Sequence, residues 1–120
     1  MRVGSGLAVA AELHDLAADA FIVNTSDGTD VVAGYPWFAD WGRDTFISLP
    51  GLLLTTGKID RAKEVLCVFA RYVSQGMIPN RFDDYTNEPS YNTVDASLWF
   101  IHSAFEYLRA SKDQKTFDKV

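Results

Sequence analysis

Residues 40 to 60 read DWGRDTFISLPGLLLTTGKID. Asp40 is placed to cap a helix that runs to about Thr56. Gly57 is placed to stop it, and Pro50-Gly51 predicts a kink or break inside it. Only Gly57 to Asp60 then separates this helix from the next, which Asp60 is placed to cap and which runs from about Arg61 to Gln75. Helices joined by so short a link run antiparallel. The rest of the chain extends the same pattern.

The third helix carries an apolar stripe of Ala62, Val65, Leu66, Phe69, Tyr72 and Val73 and ends at Gly76. Upstream, residues 8 to 20 have helical spacing, with Leu13, Leu16, Ala17, Ala20 and Phe21 recurring on one side. Phe21-Ile22-Val23, a turn containing Ser26-Asp27-Gly28, and Val31-Val32-Ala33 predict a short β-hairpin near residues 21–33. Gly34 to Phe38 reads as loop. Downstream, Met77 to Tyr91 is a long polar loop. A fourth helix follows from about Thr93 to Ala110, capped by Asn92 or Thr93 and lined by Leu98, Ile101, Ala104, Phe105 and Leu108. Lys112 to Val120 reads as the start of another helix. The fold class expected is all-α: about four helices as antiparallel hairpins, with one short hairpin of strands.

Alternating helix directions place the first-to-second and third-to-fourth connections at one end, and the Gly57–Asp60 link at the other. Both long connections hold the unusual polar and aromatic residues, and both feed helix N-termini with outward N–H groups. One end is therefore chemically rich and the other plain.

The composition narrows the function classes. A chain of 120 residues has the size of a single domain. A net charge of −5 and the lack of a basic stripe argue against a nucleic-acid partner. No stretch approaches the about 20 apolar residues of a membrane span. The lone Cys67 sits among Val65, Leu66, Val68 and Phe69, which predicts a buried thiol and fits a reducing, cytoplasmic setting. Neither His14 nor His102 belongs to a cluster of zinc-binding spacing, and there is no glycine-rich nucleotide loop, so no metal or cofactor is expected.

Three segments carry candidate chemistry, each with a structural alternative. In SYNTVDASLWF (90–100), Asp95 follows Asn92 at capping-box spacing. It is either a dipole-complementing carboxylate or a general acid flanked by Tyr91, Trp99 and Phe100. In MIPNRFDD (77–84), Asn80 and Arg81 can donate and Asp83 and Asp84 can accept, and taken alone this reads as a solvated acidic loop with a local Arg81 ion pair. In YPWFADWGRDT (35–45), Trp37 and Trp41 offer flat apolar faces beside Asp40, Arg43 and Asp44. That combination suits the C–H faces and hydroxyls of a sugar, or a core aromatic cluster beside a capped helix.

AGYPWFADWGRDTFISLPGLLLTTGK, QGMIPNRFDD and PSYNTVDASLWF occur in this order and together resemble the C-terminal glucosidase domain of glycogen debranching enzymes, the amylo-α-1,6-glucosidase family. The likeness runs from about Leu13 to Arg109. It implies an (α/α)6 barrel in which the second and fourth helices are inner and the first and third outer. It also implies hydrolysis of α-1,6-linked glucose at glycogen branch points, with inversion, and an α-glucan substrate. The family's general acid falls on Asp95. The glucose grip falls on Asp40, Arg43 and Asp44, with Trp37 and Trp41 against the sugar and Asn80 and Arg81 on the pocket wall. Inversion requires a second carboxylate roughly 6.5–9.5 Å from the acid. In the family it is a Glu of a later helical segment, so residues 1–120 are expected to be one partial domain, the N-terminal portion of the barrel. The isolated chain is expected to be inactive and to self-associate through uncovered apolar faces. A carbohydrate-binding helical module without chemistry, and a trehalase-like or glucoamylase-like hydrolase, are the alternatives.

Overall fold

The computed structural model describes residues 3–26, 28–34, 38–83 and 85–120. In chain order these form α1 (Val3–Asp19), β1 (Ile22–Thr25), β2 (Gly28–Gly34), β3 (Phe38–Asp40), α2 (Gly42–Leu49), a π-helical turn (Pro50–Leu54), α3 (Ile59–Ala70), β4 (Arg81–Phe82), β5 (Pro89–Ser90), α4 (Asp95–Ser111) and α5 (Gln114–Phe117). The chain is mostly helical, with two small antiparallel sheets of order β1-β2-β3 and β4-β5. The expected hairpin pairs Ile22 with Val31 and Thr25 with Gly28. It gains a third strand, since Val32 pairs with Asp40.

The predicted break in the second helix takes a definite form. Pro50 has no N–H for the Phe46 carbonyl four residues earlier. That carbonyl instead accepts from Ser103 Oγ on α4 at 2.6 Å, in the buried interior. The chain widens to a π turn, closed by Thr55 N–H donating to Pro50 O at 2.9 Å. Gly57, at φ +77°, then reverses the chain, and Lys58 N–H donates back to Leu53 O at 2.7 Å.

Phe46 is the centre of the core. It meets Phe69 of α3 edge-on at 4.8 Å and Phe100 of α4 at 5.1 Å. Leu49, Leu53, Val65, Leu66, Ile78, Phe82 and Tyr107 close around it. α2 lies chiefly against α4, and the β1-β2-β3 sheet packs on α2 and α3.

Several expectations change. α3 ends at Ala70, leaving Val73 exposed. Asp60 lies in the first turn of α3 rather than capping it; the N-cap is Lys58, without a side-chain cap bond. On α4 the buried residues are Ala96, Phe100, Ser103, Ala104 and Tyr107, whereas Leu98, Ile101 and Phe105 face outward. This helix is apolar on two faces, so periodicity alone did not select the buried one. α1 begins before the predicted position, and Leu13 and Leu16 are exposed because it meets the rest mainly beside the π turn. Cys67 is half-buried rather than buried; it lies on the flank of α3 that adjoins a groove with Val68, Arg71 and Val120.

The C-terminal turn is secured by one carboxylate. Asp113 accepts from Thr116 N–H at 3.0 Å, Thr116 Oγ1 at 2.6 Å, Tyr107 Oη at 2.9 Å and Lys63 Nζ at 3.3 Å. It thereby joins α3, α4 and α5. The Thr116 hydroxyl, then its N–H, then Tyr107, hold the Asp113 carboxyl well below the usual carboxylate range. Its partner Lys63 is raised, first by that hydrogen bond. A depressed carboxylate contributes stability that is complete above its unfolded value and lost as pH falls through the folded one. The Lys63 contribution has the opposite sign: it is present below 10.5 and lost as pH rises beyond the raised value. We therefore expect the Thr116 amide to lose hydrogen-exchange protection as pH drops well below 3.8, before the amides of α2 and α4 do. Joint loss with the core amides would show that Asp113 does not control α5.

Candidate active site

The two long connections meet. Trp41 and Arg81 form a lone antiparallel bridge between them, and the Arg81 guanidinium lies over the Trp41 ring at 5.8 Å from its centroid. Gly42 N–H donates to Asn80 O at 2.7 Å and Arg43 N–H to Asn80 Oδ1 at 3.2 Å. The first N–H groups of α2 are thus satisfied by a distant loop. Asp40 lies in β3 rather than at the cap position: the N-cap residue is Trp41, without a side-chain cap bond.

A comparable change occurs at α4. Neither Asn92 nor Thr93 caps it; the N-cap residue is Val94, and Asp95 is the first helical residue. Asn92 Oδ1 accepts from Asn80 Nδ2 at 3.1 Å instead. Ser97 Oγ accepts from Ile78 N–H at 2.9 Å, tying the first turn of α4 to the same loop.

This framework brings Arg43 and Asp95 face to face. Arg43 Nε donates to Asp95 Oδ2 at 2.8 Å, with the two side chains 48 % and 40 % exposed. Among the described residues Arg43 therefore pairs with the carboxylate that opens α4 rather than with its sequence neighbours. Of the aromatic neighbours expected around Asp95, Phe100 is buried in the core, Trp99 stands edge-on to His102 at 5.6 Å, and Tyr91 donates its hydroxyl to the Tyr72 carbonyl at 2.6 Å.

Asp44 is exposed and lines a separate cavity of about 280 Å³ with Phe21, Val32, Ile47, Ser48 and Leu52. Among the described residues, none of the other predicted site residues contributes to it. Trp37 lies outside the described residues, as does the side chain of Asp40. Trp41, Arg43, Asn80, Arg81 and Asp95 are thus brought together, and Asp44 faces elsewhere. Asp83, directly after β4, accepts from the N–H groups of Tyr85 and Thr86, both at 2.9 Å. The Thr86 N–H, then that of Tyr85, depress its carboxyl, so it is a turn-forming group.

The sequence reading did not single out Gly42, Asn92 or Ser97 as parts of this site. For Asn92 and Ser97 the available signal was only their nearness to Asp95. For Gly42 it was a glycine at a helix start.

The family model for amylo-alpha-1,6-glucosidase matches residues 16–120. The chain belongs to that family. It is 43 % identical over 83 residues to the glycogen debranching enzyme of Saccharomyces cerevisiae, a match that covers 65 % of this chain and 5 % of the yeast protein. The chain thus aligns with about one twentieth of that relative's length.

The contact at Gly42 makes a sharp demand on the chain. A Cβ at this position would lie 2.5 Å from Pro79 O and 3.3 Å from the Asn80 Cα, both backbone atoms with little freedom to retreat. We expect Gly42→Ala to destabilise the chain by about 2 kcal/mol, as overpacking does, measured by urea unfolding. A neutral result would mean that the two connections separate freely.

Proposed function

We propose that this chain forms the N-terminal portion of an (α/α)6 glucosidase barrel that hydrolyses α-1,6-linked glucose from a branched α-glucan with inversion. The observation that carries the reading is the Arg43–Asp95 pair, half-exposed and held between the N-termini of two adjacent helices. Asp95 is the general acid. By resemblance the base is a Glu of a later helical segment, so the isolated chain does not hydrolyse glucan. Arg43 hydrogen-bonds sugar hydroxyls. Trp41 and Arg81 form one stacked wall, Trp37 offers a further apolar face and Asp40 completes the grip, whereas Asp44 serves the separate cavity it lines.

The exposure of the acid suits the chemistry. An inverting general acid must deliver a proton to the leaving oxygen and then remain as a carboxylate. Asp95, half-exposed beside Arg43, is open to such a leaving group. A second reading rests on the same pair: a carboxylate engaged by a guanidinium is already arranged as a binding group, which fits a sugar-binding module without chemistry.

In a chain extended to the whole barrel, Asp95→Asn should lower glucose release from a branched limit dextrin by about 10³-fold while sugar affinity is kept. Undiminished turnover would remove Asp95 from the acid role. Release from trehalose or linear maltooligosaccharides in preference to the dextrin would reassign the substrate. Glucose binding by the 120-residue chain, with no turnover even in the extended one, would favour the binding module.

The exposed apolar residues carry a second proposal. Leu98, Ile101 and Phe105 on α4, with Leu13 and Leu16 on α1, drive self-association of the isolated chain in a cytoplasmic setting. Among the described residues no helix is long and apolar enough to cross a membrane. Sedimentation velocity should show mass rising with concentration, and Leu98→Gln with Ile101→Gln should suppress it. A monomer throughout would refute the idea.

A further inference from the structure

Asn80 is 3 % exposed, and its polar groups are engaged within the fold. Its N–H donates to Ser90 O at 2.8 Å and its carbonyl accepts from Gly42 N–H at 2.7 Å. On the side chain, Oδ1 accepts from Arg43 N–H at 3.2 Å and Nδ2 donates to Asn92 Oδ1 at 3.1 Å. The Arg43 contact fixes which way the amide faces, because only the oxygen can accept from a backbone N–H. That leaves the nitrogen for Asn92. A side chain so enclosed does not meet a sugar at the pocket wall.

We infer that Asn80 is instead a positioning residue, whose single buried amide sets the spacing between Arg43 and Asp95. One end of the amide holds the backbone of Arg43. The other holds Asn92, three residues before Asp95. No side chain caps α4, and Thr93 Oγ1 is buried without a hydrogen-bond partner among the described residues. The lead-in to α4 is otherwise tethered by Tyr91 Oη on the Tyr72 carbonyl and by Ser90 O on the Asn80 N–H. Neither of those tethers reaches Arg43. The Asn80 amide touches both segments that carry the ion pair, so it transmits the position of one helix start to the other.

The inference rests on the sugar-site reading for its functional meaning, but its geometry can be tested without sugar. Asn80 is buried, and its removal risks the fold, so the variants are placed at exposed Asn92. In the full 120-residue chain, the Arg43 Nε–H exchange rate with water is measured by NMR, with thermal unfolding as control. Asn92→Ala should raise that rate by about fivefold, the scale of one lost hydrogen bond, with the chain still folded and its unfolding midpoint lowered by only several degrees. Asn92→Asp should restore it, because a carboxylate oxygen still accepts from Nδ2. An unchanged rate in Asn92→Ala, or no recovery in Asn92→Asp, overturns the positioning role. Glucose titration of the unaltered chain is run alongside. A failure to bind glucose counts against the sugar-site reading alone, while the exchange rates still decide the inference.

Discussion

The hydrogen bond from Gly42 N–H to Asn80 O is the constraint on which the rest of the site depends. It replaces a local helix cap with a bond between residues far apart in the chain. Two backbones approach so closely that only a residue without Cβ fits at position 42. A single backbone hydrogen bond contributes only about 1 kcal/mol net. Its leverage comes from what it aligns. With α2 started at this point, Phe46 reaches the contact between α3 and α4, and Pro50 falls where the Phe46 carbonyl can turn to Ser103. The same bond brings Trp41 beside Arg81 and Arg43 beside Asp95.

The parts of the fold legible in the sequence were those decided locally. The break at Pro50, the reversal at Gly57 and the hairpin around residues 25 to 28 follow from backbone chemistry that travels with the residue type. The helix starts were misread. Asp40, Asp60 and Asn92 or Thr93 are good caps by type, but an N-terminus needs only some acceptor, and at α2 the tertiary structure supplied another. Asn92 shows the competition directly: its side chain, free to cap α4, accepts from Asn80 instead. The buried face of α4 was illegible for a different reason. Leu98, Ile101 and Phe105 repeat as regularly as Phe100, Ala104 and Tyr107, and only packing against α2 breaks the tie.

The site was legible as a set of segments more than as a geometry. That two polar connections share one end follows from helix alternation, and their direct bonding agrees with it. Which side chains face one another did not follow. Asn80 and Arg81 are adjacent in sequence yet differ in kind: one is enclosed, the other lies over an indole ring. Asp44, next to Arg43, faces a cavity of other residues. Adjacent helical positions point about 100° apart, so a motif read as a unit is divided by the helix that carries it.

The exposure of the Arg43–Asp95 pair decides what that pair can do. With side chains 48 % and 40 % exposed, it belongs with surface ion pairs worth roughly 0–1 kcal/mol rather than with buried ones. It is too weak to hold α2 and α4 together, a task done by the aromatic core and by Asn80. The same weakness makes it replaceable. Hydrogen bonds to charged groups contribute about 1.5–3 kcal/mol each, so a polyhydroxylated ligand that meets both partners competes well with the pair. A buried pair would resist such exchange, because separating it strands a charge away from water. The arrangement therefore divides the work: a rigid, enclosed amide fixes where the two charged groups stand, and their accessible side chains remain available to a ligand.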